Sequence, residues 1–411
     1  MRKSKRKTLL GVLIIVVLVL CIGLFMKNKT NTLNSNSIKE GITKELDETL
    51  IGAYIQNGDD YTPTSDIPTS GYEFNAEKSY CKIGDVVQED MTLSYDMDTQ
   101  TLTVSPIAKE GTKCYLYFDE KASGGDYILA GDNAPTNSTT DWTGGTTYYY
   151  TGNPNNWVQF GGFWWRIIRI NGDGSIRMIY QGTSANATGS GTQIGYSGFN
   201  SSRDNNMYVG YMYTSGQVHG IGNSSTIKGV LDNWYVNYLM DESEYIDGNA
   251  GFCNDRSLYS GTGLGNDSTT YAAGYRISDS HSPSLQCEHS DIFTTANSES
   301  GNEALQYPIG LITADEVVLA GIPLHNSGTN VNNYLYTNQY YWTMTPSNFF
   351  NYASMYVVHL DGSLVTNFVD SSGYIDGSYW TVNTNIRPVI NLRSDVSITG
   401  TGTVDDPFKI S

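Results

Sequence analysis

Positive charge is scarce where a nucleic-acid binder would need it. The chain of 411 residues has 24 Lys and Arg against 42 Asp and Glu. Seven of the basic residues (Arg2, Lys3, Lys5, Arg6, Lys7, Lys27 and Lys29) fall in the first thirty positions, which contain no acid. The other 17 face all 42 acidic residues, and so acidic a body repels phosphate backbones. Catalytic signatures are missing too. There is no G-x-S-x-G, no H-E-x-x-H and no P-loop, and GIGNSS and GTGLG join no strand to a helix. Carboxylates are plentiful, but no spacing singles out two as acid and base. Charged residues make up only 16%, whereas Tyr (31) and Gly (43) abound. That is the composition of a strand-and-turn protein with an uncharged polar surface, common among secreted proteins.

One long apolar run is present, LLGVLIIVVLVLCIGLFM from Leu9 to Met26, preceded by RKSKRK. Its length can just span a hydrocarbon core, and the basic cluster predicts that the N-terminal side stays in the cytoplasm. The expectation is a basic cytoplasmic tail over 1–8 and a transmembrane signal anchor over 9–26. The rest would be an ectodomain tethered to the cell membrane at its start. A cleaved signal peptide would want a small-x-small site, and Gly-Leu-Phe-Met-Lys is a poor substitute. A lipoprotein would want a smaller residue than Leu20 before Cys21.

Only five cysteines occur, and Cys21 lies inside the apolar run. Cys81, Cys114, Cys253 and Cys287 allow three pairings. The local one, Cys81–Cys114 and Cys253–Cys287, needs no contact between domains and is the expected one. Each bridge would close a loop of over thirty residues and contribute about 3–4 kcal/mol in the chain-entropy model. Metal binding is the rival use, since His281 and His289 flank Cys287. No C-x-x-C or H-x-x-x-H spacing supports it, and exported cysteines are usually bridged.

Along the chain, residues 27–70 read as a stalk or linker. It opens with NKTNTLNSNS, carries Ile38, Ile42, Leu46, Leu50 and Ile51 at helical spacing, and is broken by NGDDYTPTSDIPTSG. Residues 71–121 alternate in polarity. MTLSYDMDTQTLTVSPI predicts a hairpin over Asp96–Gln100, and TKCYLYFDE predicts a strand, so a small disulfide-stapled β-sandwich is expected, most plainly as a spacer. From residue 126 to 411 the chain is one turn-rich region. STIKGVLDNWYVNYL predicts a helix capped by Ser224 or Ser225. TADEVVLAG predicts another, with a Thr313–Glu316 capping box and Gly321 beyond its end. Paired strands are expected in YYWTMTP, MYVVHLDGSLVTNFV and IRPVINLR. His359, alternating with Val357, reads as a strand residue rather than a catalyst.

The densest apolar patch is FGGFWWRIIRINGDGSIRMIY, residues 160–180. Trp164, Ile168 and Ile170 fall on one side of a strand, and Phe163, Trp165 and Ile167 on the other. An exposed platform would be one-sided, so this hairpin, turning at Asn171–Gly174, is expected to staple the core.

Five stretches in this order, FGGFWWRIIRI, STIKGVLDNWY, LITADEVVLAG, YWTMTPSNF and IRPVINL, resemble a group of bacterial surface proteins with a C-type-lectin-like fold. These are related in shape to the formylglycine-generating enzyme and to the paralogous major domains of gut bacteria. The resemblance covers roughly residues 126–411. It departs at Thr345-Pro346, where Ser-Pro is usual, and at Asn385-Ile386, where Gly usually precedes the Arg-Pro motif. The fold class it implies is α+β. A C-type-lectin-like domain of mostly antiparallel strands and two short helices would follow a small β-sandwich and an N-terminal transmembrane helix.

That fold hosts adhesins, sugar binders, receptors and a few enzymes. The enzyme would need reactive cysteines holding copper. The candidates, Cys253 and Cys287, sit in the middle loops rather than among the last strands. In the resembling proteins the C-terminal segment forms the exposed ligand face. Here it holds Asn348, Tyr352, Tyr356, Tyr374, Asp376, Tyr379 and Trp380 among Ser, Gly and Asn. Such a mixture gives rigid amphipathic contact area at low entropic cost. Arg387 is assigned to the interior. Calcium stays open, because the fold often holds it and DGNAGFCND, GNDS and NGDG offer oxygen ligands. None of the three matches an EF-hand loop. The function expected is non-enzymatic adhesion or ligand binding at the cell surface, with a glycan or partner protein as ligand. The alternatives are an envelope enzyme on the same fold, or a purely structural surface protein.

Overall fold

The computed structural model describes residues 51–68, 72–97, 99–106, 109, 111–120, 123–295, 298, 300–370, 372–375, 378–381 and 384–410, with 372–381 as backbone alone. The chain divides into two compact units, 1–122 and 123–411. The described residues are mainly β-strand. Their four α-helices are short, and no helix among them is long and apolar enough to cross a membrane. This corrects the expected α+β class with an N-terminal transmembrane helix. Glycine, proline and Asx turns cut the chain too often for long helices. Leu9–Met26 lies outside the described residues.

Unit 1 contains β1 (Ile51–Asn57), β2 (Asp60–Thr64), β3 (Tyr72–Ile83), β4 (Val86–Val87), β5 (Thr92–Asp96), β6 (Thr101–Ser105) and β7 (Thr112–Glu120). A five-stranded sheet runs β2-β1-β7-β3-β4, with β1 and β7 parallel. The hairpin β5–β6 packs Leu93, Leu102 and Val104 against Leu116 and Phe118 of the sheet. Residues 51–64 are therefore sheet and not stalk. Ile51, Ala53 and Ile55 alternate toward the core, and Gly58, at φ +65°, makes the tight turn to β2.

On the opposite face, alternation turns Tyr115 and Tyr117 outward between Leu116 and Phe118. Tyr54 stacks on Tyr117 at 4.9 Å and Tyr80 on Tyr115 at 5.1 Å. Cys81 and Cys114 are direct register partners across β3 and β7, and they are bridged. The bridge closes a 33-residue separation, so C81S/C114S is expected to weaken this unit by about 3–4 kcal/mol. Native-state hydrogen exchange at β3 and β7 checks this. Unchanged protection there would contradict it.

Unit 2 begins with α1 (Gly124–Leu129) and the strands β8 (Asn137–Thr140), β9 (Thr146–Tyr149), β10 (Trp157–Phe160), β11 (Phe163–Ile170) and β12 (Ile176–Gly182). There follow α2 (Thr226–Tyr238), β13 (Leu258–Ser260), β14 (Thr269–Tyr271), α3 (Ala272–Ser278) and α4 (Ala314–Leu319). The last part holds β15 (Tyr341–Phe349), β16 (Ala353–Val358), β17 (Leu364–Phe368), β18 (Ser372–Ile375), β19 (Ser378–Thr381), β20 (Val389–Leu392), β21 (Ile398–Thr399) and β22 (Phe408–Ile410).

Two sheets carry the unit. One runs β20-β12-β11-β10-β22-β21, with β9 pairing β11 and β8 pairing β9. The other runs β13-β14-β15-β16-β17. IRPVINL thus joins the first sheet, while YWTMTPSNF and MYVVHLDGSLVTNFV form the second.

The hairpin β11–β12 is the buried staple that its sequence predicts. Trp165, Ile167, Ile168, Ile170, Met178 and Ile179 all lie in the core. Helix α2, capped by Ser225, lays Ile227, Leu231, Trp234 and Tyr235 on it. One detail differs from the expected pattern: β11 also buries two cations, Arg166 and Arg169. Arg169 and Arg177 both reach Glu316 Oε1, at 2.9 and 2.6 Å. The other oxygen of Glu316 accepts from the backbone N–H of Thr313 at 2.8 Å, completing the predicted capping box of α4. Burial alone would raise the Glu316 pKa. The Arg177 and Arg169 guanidiniums and the Thr313 N–H outweigh it and hold the carboxyl below its usual value.

Glu316→Gln leaves buried Arg177 without its counter-ion and Arg169 with only Asp141, 3.9 Å away, and a loss of about 3–5 kcal/mol is expected. All seven Trp lie in unit 2, so Trp fluorescence in guanidinium titrations reads this unit directly. A loss no larger than that of a rim pair, about 0–1 kcal/mol, would contradict it.

Candidate functional site

The expected ligand residues gather around β15–β17, but not all on the surface. Every position of β16 is buried, because both its faces are covered. Helix α3 lies so close that a Cβ on Gly274 would stand 2.2 Å from the Ser347 carbonyl oxygen. Tyr356 is consequently a core residue, 2% exposed, donating its hydroxyl to Gly274 O at 3.2 Å. Asn348 is half-buried and donates to Ser347 Oγ at 3.0 Å. Tyr374 and Tyr379 pair directly across the β18–β19 hairpin, and Trp380 pairs with Gly373. The side chains of these residues, and Asp376 altogether, lie outside the described residues.

Tyr352 is in the turn between β15 and β16, half-buried, with its ring edge-on to Phe368 at 5.3 Å. The Arg203 guanidinium lies 4.2 Å over the Tyr352 ring and 5.2 Å over that of Phe368, and also reaches Asp370 at 3.4 Å. The backbone N–H of Ala353 donates to Arg203 O at 2.8 Å, which fixes the 201–204 loop to the start of β16. Phe350 projects from the same turn, 60% exposed. Sequence reasoning missed Arg203, Phe368 and Asp370. Arg203 stands in a long polar loop with no periodic neighbour, so its aromatic partners are visible only in the fold.

The remaining charged clusters are internally paired. Arg276 forms a two-point ion pair with Asp315, at 2.9 and 2.8 Å, and reaches Asp255 at 3.1 Å. The cavity these three residues share with Trp142 and Gln286 is about 10 Å³, about the room of a single water. Asp291 holds Arg256 at 2.8 Å and His219 at 3.1 Å. The Cys253–Cys287 bridge pins the 253–256 segment that feeds both clusters. Arg387 is fully buried and donates to Tyr180 O, Leu335 O and Gln181 Oε1.

In the oxygen-rich runs weighed for calcium, carboxylates are taken up by local hydrogen bonds. Asp173 accepts from Ser175 N, Asp247 from Asn249 N and Asp255 from Ser257 N, while Asp267 takes the Thr262 hydroxyl. A second concave feature borders the staple. It is an open groove of about 450 Å³ lined by Gln159, Trp164, Glu242, Tyr245 and Lys409.

Compared with family models, curated proteins and solved structures, the chain has no match.

The Asp291 carboxylate, an acceptor 3.1 Å from His219 Nδ1, raises the His219 pKa above its ordinary value. A raised histidine stabilises the fold below its unfolded pKa, and that stabilisation is lost as pH rises through the folded one. Stability is expected to fall as pH rises from the unfolded value of 6.5 through the raised folded one, and His219→Gln should flatten that slope. Denaturation midpoints across this range check it. An unchanged slope in the variant would assign the titration elsewhere.

Proposed function

We propose that unit 2 is a C-type-lectin-like, non-enzymatic ligand-binding domain of a cell-surface adhesion or receptor protein. Its ligand is a glycan or a partner protein. The ligand meets the Phe350–Tyr352 turn, the Arg203–Phe368 stack and the β18–β19 hairpin. The observation that carries this reading is the exposed Phe350 beside rings already ordered by a guanidinium. Pre-ordered aromatic area with adjacent amide and cationic donors costs little entropy to use and suits stacking with hydrogen bonding.

Other features support it. The five stretches on which the resemblance rests lie in β11, α2, α4, β15 and β20 and contribute to one core. Two disulfides fit an oxidising compartment. The four best-buried arginines, Arg169, Arg177, Arg256 and Arg387, serve the interior, so the surface stays acidic and mixed-polar. Such a surface favours neutral sugars or polar protein faces over phosphate polymers.

Glycan-array and affinity-capture measurements on the full chain test the proposal. Phe350→Ala with Tyr352→Ala, or Tyr374, Tyr379 and Trp380 together to Ala, should reduce binding at least tenfold. Gln159→Ala with Lys409→Ala, in the groove beside Trp164, should leave it unchanged. Binding lost only in the groove variant would move the site to that groove.

A further inference from the structure

The turn from β16 to β17 gathers metal-ligating side chains from two distant segments. His359 follows β16 directly, and Asp361 comes two residues later. His325 arrives from the segment after α4, brought alongside by the bridge between Leu324 and Leu364. Nδ1 of His359 is 2.7 Å from Asp361 Oδ1, and Nδ1 of His325 is 3.2 Å from Asp361 Oδ2. The ligand atoms of all three lie within 4.8 Å of one another. Around a tetrahedral ion with bonds of about 2.0–2.2 Å, neighbouring ligand atoms stand roughly 3.3 Å apart. One ion fits among the three after shifts of roughly an ångström.

The surrounding groups orient the ligands. The Tyr340 hydroxyl meets His359 Nε2 at 2.7 Å. Ser363 donates to Asp361 Oδ1 from its backbone N–H at 3.0 Å and its hydroxyl at 2.6 Å. That hydroxyl is also 3.1 Å from His325 Nδ1. The backbone N–H of Asp361 lies 3.2 Å from His359 Nδ1. At 2.7 Å, His359 Nδ1 and Asp361 Oδ1 share a proton that a bound metal ion would displace. Such outer partners fix ring orientation in metal centres.

We propose that His325, His359 and Asp361 form a site for a divalent transition metal, Zn²⁺ by preference. Two imidazoles and one carboxylate suit zinc, whereas calcium takes six or more oxygens. His325 is exposed, which leaves the fourth position to water. The bound ion ties the 324–328 segment to the β16–β17 turn, at the end of β16 opposite Tyr352. It is independent of the ligand surface proposed above.

Equilibrium dialysis of the full chain, stripped by chelator and then exposed to Zn²⁺ or Ca²⁺, tests this. One Zn²⁺ per chain is expected in the micromolar range, with Ca²⁺ failing to compete. His325→Ala should bind at least about tenfold more weakly, and His289→Gln should bind as wild type. Zn²⁺ should also raise the melting temperature of the wild type and not that of His325→Ala. Because His325 is exposed, that variant is expected to melt as wild type without metal. Absence of stoichiometric Zn²⁺, or equal binding by His325→Ala, overturns the site.

Discussion

One buried carboxylate joins the parts of unit 2. Glu316 closes the cap of its own helix through Thr313 and, on the same side chain, accepts two arginines from adjacent strands, Arg169 of β11 and Arg177 of β12. A charge this deep is tolerated only when fully paired. The pairing therefore fixes where α4 sits on the central hairpin. From α4 the chain leads toward β15, and Met344 N–H bonds to Ile312 O beside the cap. The sheet that carries the proposed ligand surface takes its position from the same place.

The interior use of cations shapes the exterior. Arg256 and Arg276 are likewise held by Asp291, Asp255 and Asp315. With so much positive charge turned inward, Arg203 stands out as a guanidinium partly open to solvent and laid over two rings. The two ends of β16 then differ in chemistry. One presents aromatic rings and amides, and the other presents imidazoles and a carboxylate. Six residues of strand, roughly 20 Å, separate them, so each end can be altered without touching the other.

Features governed by short-range physics were legible in the sequence. Ser225 and the Thr313–Glu316 box mark helix starts because they satisfy local N–H groups. Asn171–Gly174 marks a turn, and the local disulfide pairing was expected because it needs no contact between domains. What was hidden depends on coverage by distant segments. Tyr356 looked available because strand alternation leaves one face open, yet α3 closes that face. Helix α3 was itself invisible, since its first turn has no capping side chain. Ile51 fitted a helical period through Ile38–Leu50, although in the fold it alternates with Ala53 and Ile55 in a strand. The partnership of His325 with His359 spans a gap that no motif reports. Arg203 and Phe368 meet across a still longer one.

The central claim is that the Phe350 end of β16 meets the ligand. Placing a photo-crosslinking phenylalanine analogue at Phe350, and separately at Leu360 near the opposite end, tests it most directly. Both positions are exposed, at 60% and 42%. With ligand present, capture at position 350 and little at 360 is the expected result. Equal capture at both positions, or capture only at 360, would contradict it.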